Sequence, residues 1–435
     1  MFEKLKEIFG NKDLRKKIIF TCLMLVIFRI GANIPVPGID REYLSQVFEN
    51  GSMGLIDIFN LFSGGSFQNF TIFALGVTPY ITATIIVQLL GAAFPYFENL
   101  RKEGQEGREK LGRISRYSAL GLALLQSFGY SYGFFNQAII DKSPFNVALI
   151  TMILTAGSMF LMWVGERIEE YGIGSGISIL IYGGIIASLP SELNQIYTKF
   201  QSGGISFVEL GLLILGALFM VLAVVYVQEG ERKIPVQYAA RTNGRVKYAG
   251  NKTYIPLKVN QSGVLPIIFA SSFLQFPMMI LMFFRNSKAY SFYNEWLSPD
   301  GTPGVYIYSA MLIILIVVFS FFYQEIALNT KEMADNLAKN GGTVMGIRPG
   351  TATRKYLAKI ANRLSFAGAI FLSIVAVIPV VLSQVLGVSL IFGGTSLLII
   401  VGVSLDIFKR LSSQQAMVSY NGFLKMNRAQ KRRNK

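Results

Sequence analysis

Ten mostly apolar stretches, each close to 20 residues long, constrain the fold of this chain more than any other feature. A helix needs about 20 such residues to cross the hydrocarbon core of a bilayer. Only 15% of the residues are charged, whereas soluble domains average about 25%. The sequence therefore predicts an all-α integral membrane protein. The predicted spans are 18–34, 72–94, 117–138, 147–165, 173–189, 205–227, 263–284, 305–324, 364–386 and 388–405.

The Lys and Arg residues lie almost entirely on one side of these spans. Ten spans put both termini on the same side, and 35 of the 41 basic residues fall in the termini and the loops of that side. Because cytoplasmic loops carry the excess of Lys and Arg, both termini are predicted to be cytoplasmic. The net charge of +16 is thus explained by membrane topology, without a nucleic-acid-binding surface.

The span count predicts two halves of five spans each. These are an N-terminal half, 1–189, and a C-terminal half, 205–410, joined by an extracytoplasmic loop, 190–204. A basic cytoplasmic tail, 411–435, follows the C-terminal half. An odd number of spans per half gives the halves opposite orientations, as in inverted-repeat membrane proteins. This inference rests on the count alone.

A short segment before the second span resembles a broken membrane helix. Residues 54–65 place Leu55, Ile56, Phe59 and Phe62 on one helical face and end at a glycine pair, but they are too few to cross a bilayer. Such a segment is tolerated at membrane depth only where it lines a cavity or packs inside protein. The sequence therefore indicates a membrane protein with a cavity.

The span interiors exclude several classes of function. No Asp, Glu or Lys lies near the middle of a span, and Arg29 is close enough to the outer end of the first span to snorkel. Ion-coupled transporters normally keep an ionisable residue at depth. The chain has no histidine and a single cysteine, Cys22, so no His-dependent nucleophile pair can form. We expect no enzyme activity, no metal and no cofactor.

Isoleucines and uncharged polar residues in the spans leave two alternatives open. Ile81 and Ile85 share a helix face, as do Ile177 and Ile181. Aliphatic side chains from several helices could form a ring that dewets and blocks ions, or they could simply face lipid or pack. The polar residues could pair across helices or line a seam that opens; they are Gln88, Gln126, Ser271, Ser272 and Gln275.

Two cytoplasmic loops, 228–262 and 325–363, are long enough to protrude. In the first, Asn243-Gly244 is a strong hairpin-turn signal and predicts a finger tipped by Arg241 and Arg245. In the second, Arg348 stands in a turn of two glycines and a proline. The alternative for both is an ordinary solvated loop.

At this level of detail the chain resembles the SecY family, the central subunits of the bacterial protein-conducting channel. The resemblance extends over nearly the whole length, and the matching motifs stand in order at matching span positions. They include Pro35-Val36-Pro37-Gly38, Thr78-Pro79-Tyr80-Ile81, Lys102-Glu103-Gly104, Gly172-Ile173-Gly174, Pro256-Leu257-Lys258-Val259-Asn260, Phe269-Ala270-Ser271-Ser272, Gly346-Ile347-Arg348-Pro349-Gly350 and Gly393-Gly394-Thr395-Ser396.

The resemblance implies ten helices in two pseudo-symmetric halves around an hourglass pore, with a re-entrant plug helix at about 54–67. The implied plug residues are Leu55, Ile56, Ile58, Phe59, Phe62, Gly64, Gly65 and Phe67. The implied pore ring is Ile81, Ile85, Ile181, Ile268 and Ile399, with Ile177 adjacent. A lateral gate between the second span and the seventh and eighth spans would involve Gln88, Gln126, Ser271 and Ser272. Docking of a motor or ribosome would use Arg241, Arg245, Lys247, Arg348, Arg354 and Lys355.

The resemblance also implies a function and a set of partners. The chain would pass unfolded secretory polypeptides across the bacterial cell membrane and release signal sequences and membrane anchors sideways into lipid. Its partners would be the small subunits SecE and SecG, the motor ATPase SecA, and the ribosome, with no nucleic acid bound apart from possible contact with ribosomal RNA. A secondary transporter or flippase of a small substrate is the alternative, but buried charge at depth and short loops, which would favour it, are not found in this sequence. A structural scaffold is a third alternative, but it would need no broken span.

Overall fold

The computed structural model describes residues 11–40, 43–44, 63–134, 137–204, 206–238, 241–243, 246–248, 252–281, 284, 287–298, 303–386 and 394–433. Most of these residues are helical. The helices are α1 (Lys12–Gly31), α2 (Thr78–Ala93), α3 (Pro95–Lys102), α4 (Gln105–Gly129), α5 (Pro144–Tyr171), α6 (Gly176–Gln201), α7 (Phe207–Glu229), α8 (Leu265–Leu281), α9 (Lys288–Trp296), α10 (Gly304–Ala327), α11 (Thr330–Lys339), α12 (Thr351–Leu386) and α13 (Gly394–Arg433). The strands are β1 (Glu231–Tyr238), β2 (Arg241–Asn243), β3 (Val246–Tyr248), β4 (Lys252–Lys258) and β5 (Gly342–Val344).

Each of the ten predicted spans overlaps one of these helices. By length and apolar composition alone, five helices in the described part of the chain qualify to cross a membrane, namely α5, α6, α7, α10 and α12. The pair α2 and α3 is bent by 100° and counts as a sixth if it is taken as one span. The remaining spans overlap helices that are shorter or that carry charged extensions beyond their apolar part, such as α1 and α13.

The chain folds into two compact units. The first unit comprises Met1–Phe207, Gln275–Thr302 and Ile399–Lys435, and the second comprises Val208–Leu274 and Pro303–Leu398. The boundary after Phe207 lies close to residue 205, where the C-terminal half is predicted to begin. Two later segments, Gln275–Thr302 and Ile399–Lys435, nevertheless belong to the first unit. The simpler division into residues 1–189 and 205–410 stays a prediction.

Helix α5 organises the core of the first unit, where it packs against α1, α4 and α6. It begins at Pro144 and is N-capped by Ser143, whose hydroxyl accepts a hydrogen bond of 3.3 Å from the amide N–H of Asn146. Its Gly157 lies so close to the Ile72 carbonyl that a side chain there would overlap it. On the same helix the Ser158 hydroxyl donates to the Gly76 carbonyl at 3.1 Å. Small residues of α5 therefore hold the turns of residues 63–77 against the helical core.

The second unit contains a small sheet outside the helices. In it β1 pairs antiparallel with β4 on one edge and with β5 on the other. Alternate residues Ile234 and Val236 of β1 are buried, which is the period of a half-buried strand. They join a cluster formed with Leu257, Leu328, Leu337, Val344, Leu357, Ile360 and Ala361. We call β1, β4, β5, α11 and residues 351–364 of α12 the sheet subdomain.

One sequence-based expectation needs correction. The predicted loop 190–204 is helical through Gln201, because its residues after Pro190 are polar but still favour helix. The basic tail from residue 411 continues α13, which ends at Arg433. The described residues are mostly helical, as the all-α class predicts, and the long loops 228–262 and 325–363 add only short strands and α11.

Candidate functional site

The last residues of the predicted plug are fixed by three separate parts of the first unit. Gly64 adopts φ +65°, and a Cβ on it would lie 2.6 Å from the Cα of Gly184 in α6. Arg29 Nη1 in α1 donates to the Gly64 carbonyl at 2.9 Å. Phe67, nearly fully buried, meets the ring of Tyr130 edge-on with centroids 5.3 Å apart. We call residues 63–67 the plug root.

The structure covers the plug prediction only in part. Gly64, Gly65 and Phe67 belong to the plug root, with Gly65 also at positive φ. The other predicted plug residues lie outside the described residues; they are Leu55, Ile56, Ile58, Phe59 and Phe62. Whether residues 54–62 form a plug helix therefore stays a prediction.

The predicted pore isoleucines are shielded from solvent. Ile81, Ile85, Ile181, Ile268 and Ile399 are all at most 6% exposed, and Ile177 is half-buried. Ile81 and Ile85 lie one turn apart on α2, and Ile177 and Ile181 do so on α6. Ile268 belongs to the second unit and the other five to the first, so the closed ring itself stays a prediction.

The predicted gate residues differ in whether their polar side-chain atoms have hydrogen-bond partners among the described residues. The Ser271 hydroxyl donates to the Ile267 carbonyl at 2.9 Å, a bond within its own helix, so it does not pair across helices as the sequence allowed. Gln126 is 4% exposed, and its Oε1, like that of Gln88, has no hydrogen-bond partner among the described residues. Ser272 is also buried.

Gln275 in α8, one of the uncharged polar residues of the predicted spans, differs from Ser271 in its surroundings. It is 3% exposed, and neither its Nε2 nor its Oε1 finds a partner in the described part of the chain. A buried polar group without a partner costs about 1–3 kcal/mol. Gln275 therefore makes the packed arrangement around α8 less stable than an apolar residue would.

The turn containing Arg348 is a rigid connection between β5 and α12. Gly346 and Gly350 adopt φ +78° and +92°, a region that favours glycine. The Thr353 hydroxyl donates to the Arg348 carbonyl at 2.8 Å, and Ile347 packs on the cluster of the sheet subdomain. The side chain of Arg348 is exposed, so the turn presents this cation to solvent.

The cations around this turn differ from others at the polar ends of the helices. Arg116 binds Glu166 at 2.6 Å, and Lys102 binds Glu98, which lowers the pKa of that carboxyl. Within the ranges that the structure describes, the exposed residues Arg348, Arg354 and Lys355 enter no ion pair. The ion pairs found there join other residues, namely Lys102–Glu98, Lys110–Glu103, Lys110–Glu106, Arg116–Glu166, Arg167–Glu170, Lys233–Glu231 and Arg410–Asp406. The charge of Arg348, Arg354 and Lys355 remains available to a partner.

The predicted finger is present as a hairpin whose tip lies outside the described residues, and Arg241 is not at that tip. Strands β2 and β3 pair with Arg241 opposite Tyr248 and Asn243 opposite Val246, so Arg241 lies at the start of β2, at the open end of the hairpin. Arg245 lies outside the described residues. Because β5 runs antiparallel to β1, the hairpin and the Arg348 turn leave the sheet in opposite directions along β1.

The described residues contain no group of three or more Cys, Asp or Glu side chains arranged to hold a metal ion. The sequence signal that could have revealed the plug-root contact was Arg29 itself, an arginine inside an apolar span. Its partner was not readable, because a backbone carbonyl leaves no mark in the sequence.

The family model that matches this chain is that of SecY, over residues 71–408. The chain belongs to the SecY family. Two similar SecY-family relatives are the protein translocase subunits SecY of Staphylococcus carnosus (strain TM300) and Bacillus subtilis (strain 168), each 42% identical. The alignments cover 97% and 98% of this chain and 99% and 100% of those proteins.

Solved structures agree on the SecY fold. A structure described as that of a protein conducting channel matches with a TM-score of 0.69 at 20% identity, covering 92% of both chains. Sec61 in the canine ribosome-channel complex from the endoplasmic reticulum matches with a TM-score of 0.65, also at 20% identity and 92% of both chains. At this identity the likeness establishes the fold, an all-α membrane architecture.

Proposed function

We propose that this chain is the pore-forming subunit of a protein translocase, through which unfolded secretory polypeptides cross the membrane and hydrophobic segments leave sideways into lipid. The observation that carries the proposal is the full-length match, at 42% identity, to relatives named protein translocase subunit SecY. The uncharged span interiors and the buried isoleucines support a passive pore, since an aliphatic constriction offers a passing chain no fixed hydrogen bonds. The energy would come from partners.

A crosslinking experiment tests the pore assignment at one position of α2. With Cys22 replaced by serine, cysteine is placed at Ile85, which is 4% exposed, or at its neighbour Ile86, which is 37% exposed. A secretory chain with one cysteine is stalled in transit. We expect a disulfide adduct from position 85 and little from position 86. Because the two positions lie at nearly the same depth, equal adducts, or an adduct from position 86 only, would show that the face of Ile85 does not line the path.

The partners belong to the same proposal. SecE and SecG would flank the chain in the membrane, and the exposed cations Arg348, Arg354 and Lys355 would contact SecA or the ribosome, ribosomal RNA included. The hairpin carrying Arg241, Arg245 and Lys247 would form a second contact. Support comes from the exposed cations at the Arg348 turn, which enter no ion pair among the described residues, and from the Sec61 structure described as part of a ribosome-channel complex.

The proposed location is the bacterial cell membrane, with both termini and the sheet subdomain in the cytoplasm. The distribution of basic residues supports this orientation. Lipid would surround α7, whose apolar side chains are largely exposed over its whole length. A helix that is apolar on all sides and packs against little else suits a hydrocarbon environment.

Replacing Gln275 by leucine tests whether the polar residues of α8 favour opening. Leucine removes the cost of burying two unpartnered polar atoms and so stabilises the closed arrangement. We expect export of a substrate with a weakly hydrophobic signal sequence to fall by about tenfold, since 1.4 kcal/mol corresponds to a factor of ten. The measurement is the initial rate of import into membrane vesicles.

Ser271→Ala is the control for this substitution, because the Ser271 hydroxyl is already satisfied within α8. Its export rate should stay near that of the wild type. An unchanged rate for Gln275→Leu, or an equal loss for Ser271→Ala, would contradict the proposed effect.

A further inference from the structure

A cavity of about 520 Å³ lies between α10 and α12, two helices of the second unit that qualify by length and apolar composition to cross a membrane. Its volume falls within the range of about 300–1,000 Å³ that is typical of sites for small molecules. We call it the α10–α12 groove, and it has no part in the pore, gate, plug or docking assignments above. Its walls are aliphatic and are formed by Ile313, Val317, Ile370, Ile374, Val377 and Ile378.

The groove offers an occupant only apolar contacts. Among the described residues that line it, only Ser373 carries a hydroxyl, and this hydroxyl donates to the Ala369 carbonyl at 2.8 Å within α12. Ile374 is 51% exposed and Ile313 is 39% exposed, so the groove opens to the surroundings of the two helices. At the depth of a membrane span these surroundings are hydrocarbon. The occupant is therefore a lipid chain or an apolar helix.

The shape of the walls favours a lipid chain over a helix. Helices in membranes associate through small residues that let their backbones approach closely. Apart from Ser373, the groove is lined by isoleucine and valine, whose branched side chains keep a second backbone away, whereas a flexible acyl chain can follow their surface. Because lipid tails are as apolar as these side chains, a lasting lipid site also needs a polar anchor.

Cations suited to anchor a lipid lie on α12 at the end of the groove that the proposed topology places toward the cytoplasm. There the Gln324 Nε2 of α10 donates to the Asn362 Oδ1 of α12 at 2.9 Å, which joins the two helices. Arg363 follows directly, is exposed, and enters no ion pair among the described residues. Residues seven apart share a helix face, so Arg363 lies on the face of Ile370, with the exposed Lys359 one turn before it.

The spacing between cation and groove matches one leaflet of a bilayer. Ile374 follows Arg363 by eleven residues, which is about 16 Å along a helix that rises 1.5 Å per residue. Half of a hydrocarbon core of about 30 Å is about 15 Å. A phospholipid whose phosphate lies beside the Arg363 guanidinium thus reaches Ile374 with its acyl chain.

We propose that the α10–α12 groove binds one acyl chain of a phospholipid whose phosphate is held by Arg363, with Lys359 beside it. A guanidinium binds phosphate oxygens through charge-assisted hydrogen bonds. The bound chain fills the space between α10 and α12, and α12 continues into the sheet subdomain. The site requires the membrane orientation proposed above but not the pore, so either can fail while the other stands.

The test is native mass spectrometry of the purified translocase complex, extracted in mild detergent from vesicles of phosphatidylethanolamine and phosphatidylglycerol. Ile374→Trp fills the groove, and Val318→Trp is its control, at an exposed position of α10 outside the lining. Arg363→Gln removes the cation, and Arg354→Gln is its control. Nine residues along a helix make about two and a half turns, so Arg354 lies on the opposite face of α12.

We expect the wild type and both controls to retain one phospholipid that Ile374→Trp has lost. Arg363→Gln should need about tenfold more added phospholipid for equal occupancy, the scale of one charge-assisted hydrogen bond. Equal retention by Ile374→Trp and the wild type would overturn the site, as would unchanged affinity in Arg363→Gln. If Ile374→Trp releases a protein subunit and no lipid, a helix occupies the groove and the proposal is wrong.

A measurement on the unaltered chain covers the case in which Ile374→Trp does not accumulate in membranes. A phospholipid with a photoreactive group at the end of its acyl chain is added to the vesicles, and the complex is illuminated only after extraction. The label should fall on the groove segments of α10 and α12 and not on α7, although α7 is apolar and largely exposed. Equal label on α7 would indicate lipid that merely surrounds the protein and would contradict a bound phospholipid.

Discussion

Arg348→Glu is expected to abolish motor-driven export, lowering the initial rate at least about 100-fold, because like charges facing each other across an interface cost several kcal/mol. The side chain is exposed and outside any ion pair among the described residues, so its reversal removes no internal contact. The turn itself is held by Gly346, Gly350 and the Thr353 hydroxyl, none of which depends on the arginine side chain. The measurement is import of a purified secretory precursor into inverted membrane vesicles with ATP and the motor.

Lys339→Glu provides the matched control for charge reversal. Lys339 is exposed at the end of α11 in the same sheet subdomain, but lies outside the predicted docking set. Its export rate should stay within about twofold of the wild type, as is usual for surface substitutions. Normal membrane levels of both variants would show that folding is intact, and normal export by Arg348→Glu would refute the docking role.

Deleting residues 54–62 is expected to make the resting channel conduct small ions while protein export continues. If the plug stabilises the closed state by a few kcal/mol, each 1.4 kcal/mol lost raises the open population about tenfold. The aliphatic ring would remain, so the leak should be partial. Single-channel recording in planar bilayers measures both the frequency and the size of the openings.

The same deletion should leave the export rate within a few-fold of the wild type, since a passing polypeptide displaces the plug in any case. A control deletion of equal length in the basic tail beyond Arg410 should not change the conductance. A tight, wild-type resting state in the plug deletion would show that residues 54–62 do not seal the pore.

Features that depend on neighbouring residues could be predicted from the sequence. Apolar length located the spans, because each helix satisfies its own backbone within one segment. The Asn243-Gly244 turn predicted the hairpin, since that dipeptide suits the backbone conformation of a tight turn. The pairing of β2 with β3 confirms the hairpin, although Asn243 pairs with Val246 and so belongs to β2 rather than to the turn.

Features that depend on distant residues could not be predicted from the sequence. Strand β5 has only three residues, too few for a pattern, and it exists because β1 offers an edge about a hundred residues earlier. The helix through Gln201 was missed because a polar composition was interpreted as the end of a helix, when it marks only the end of the apolar part. The bond from Arg29 to Gly64 has a backbone acceptor, which any residue could supply.

Sequence patterns also could not tell apart chemically similar side chains. Ser271 and Gln275 are one turn apart on α8 and look equivalent in the sequence. One is satisfied within its own helix and the other is buried without a partner in the described residues. The difference arises because a hydroxyl is short enough to reach the preceding carbonyl, whereas a glutamine amide must find its partners elsewhere.

The order of the sheet has a consequence for how the protein is made. Strand β1 can pair with β4 as soon as both have been synthesised, but its other edge waits for β5, and the four helices α8 to α11 lie between β4 and β5 in the chain. At about 5–20 residues per second, the interval is about 5–20 s. During that time one edge of β1 and part of its buried cluster stay uncovered. The sheet is therefore completed only after α8 to α11 have been made, and the turn with Arg348 follows it while α12 and α13 are still to come.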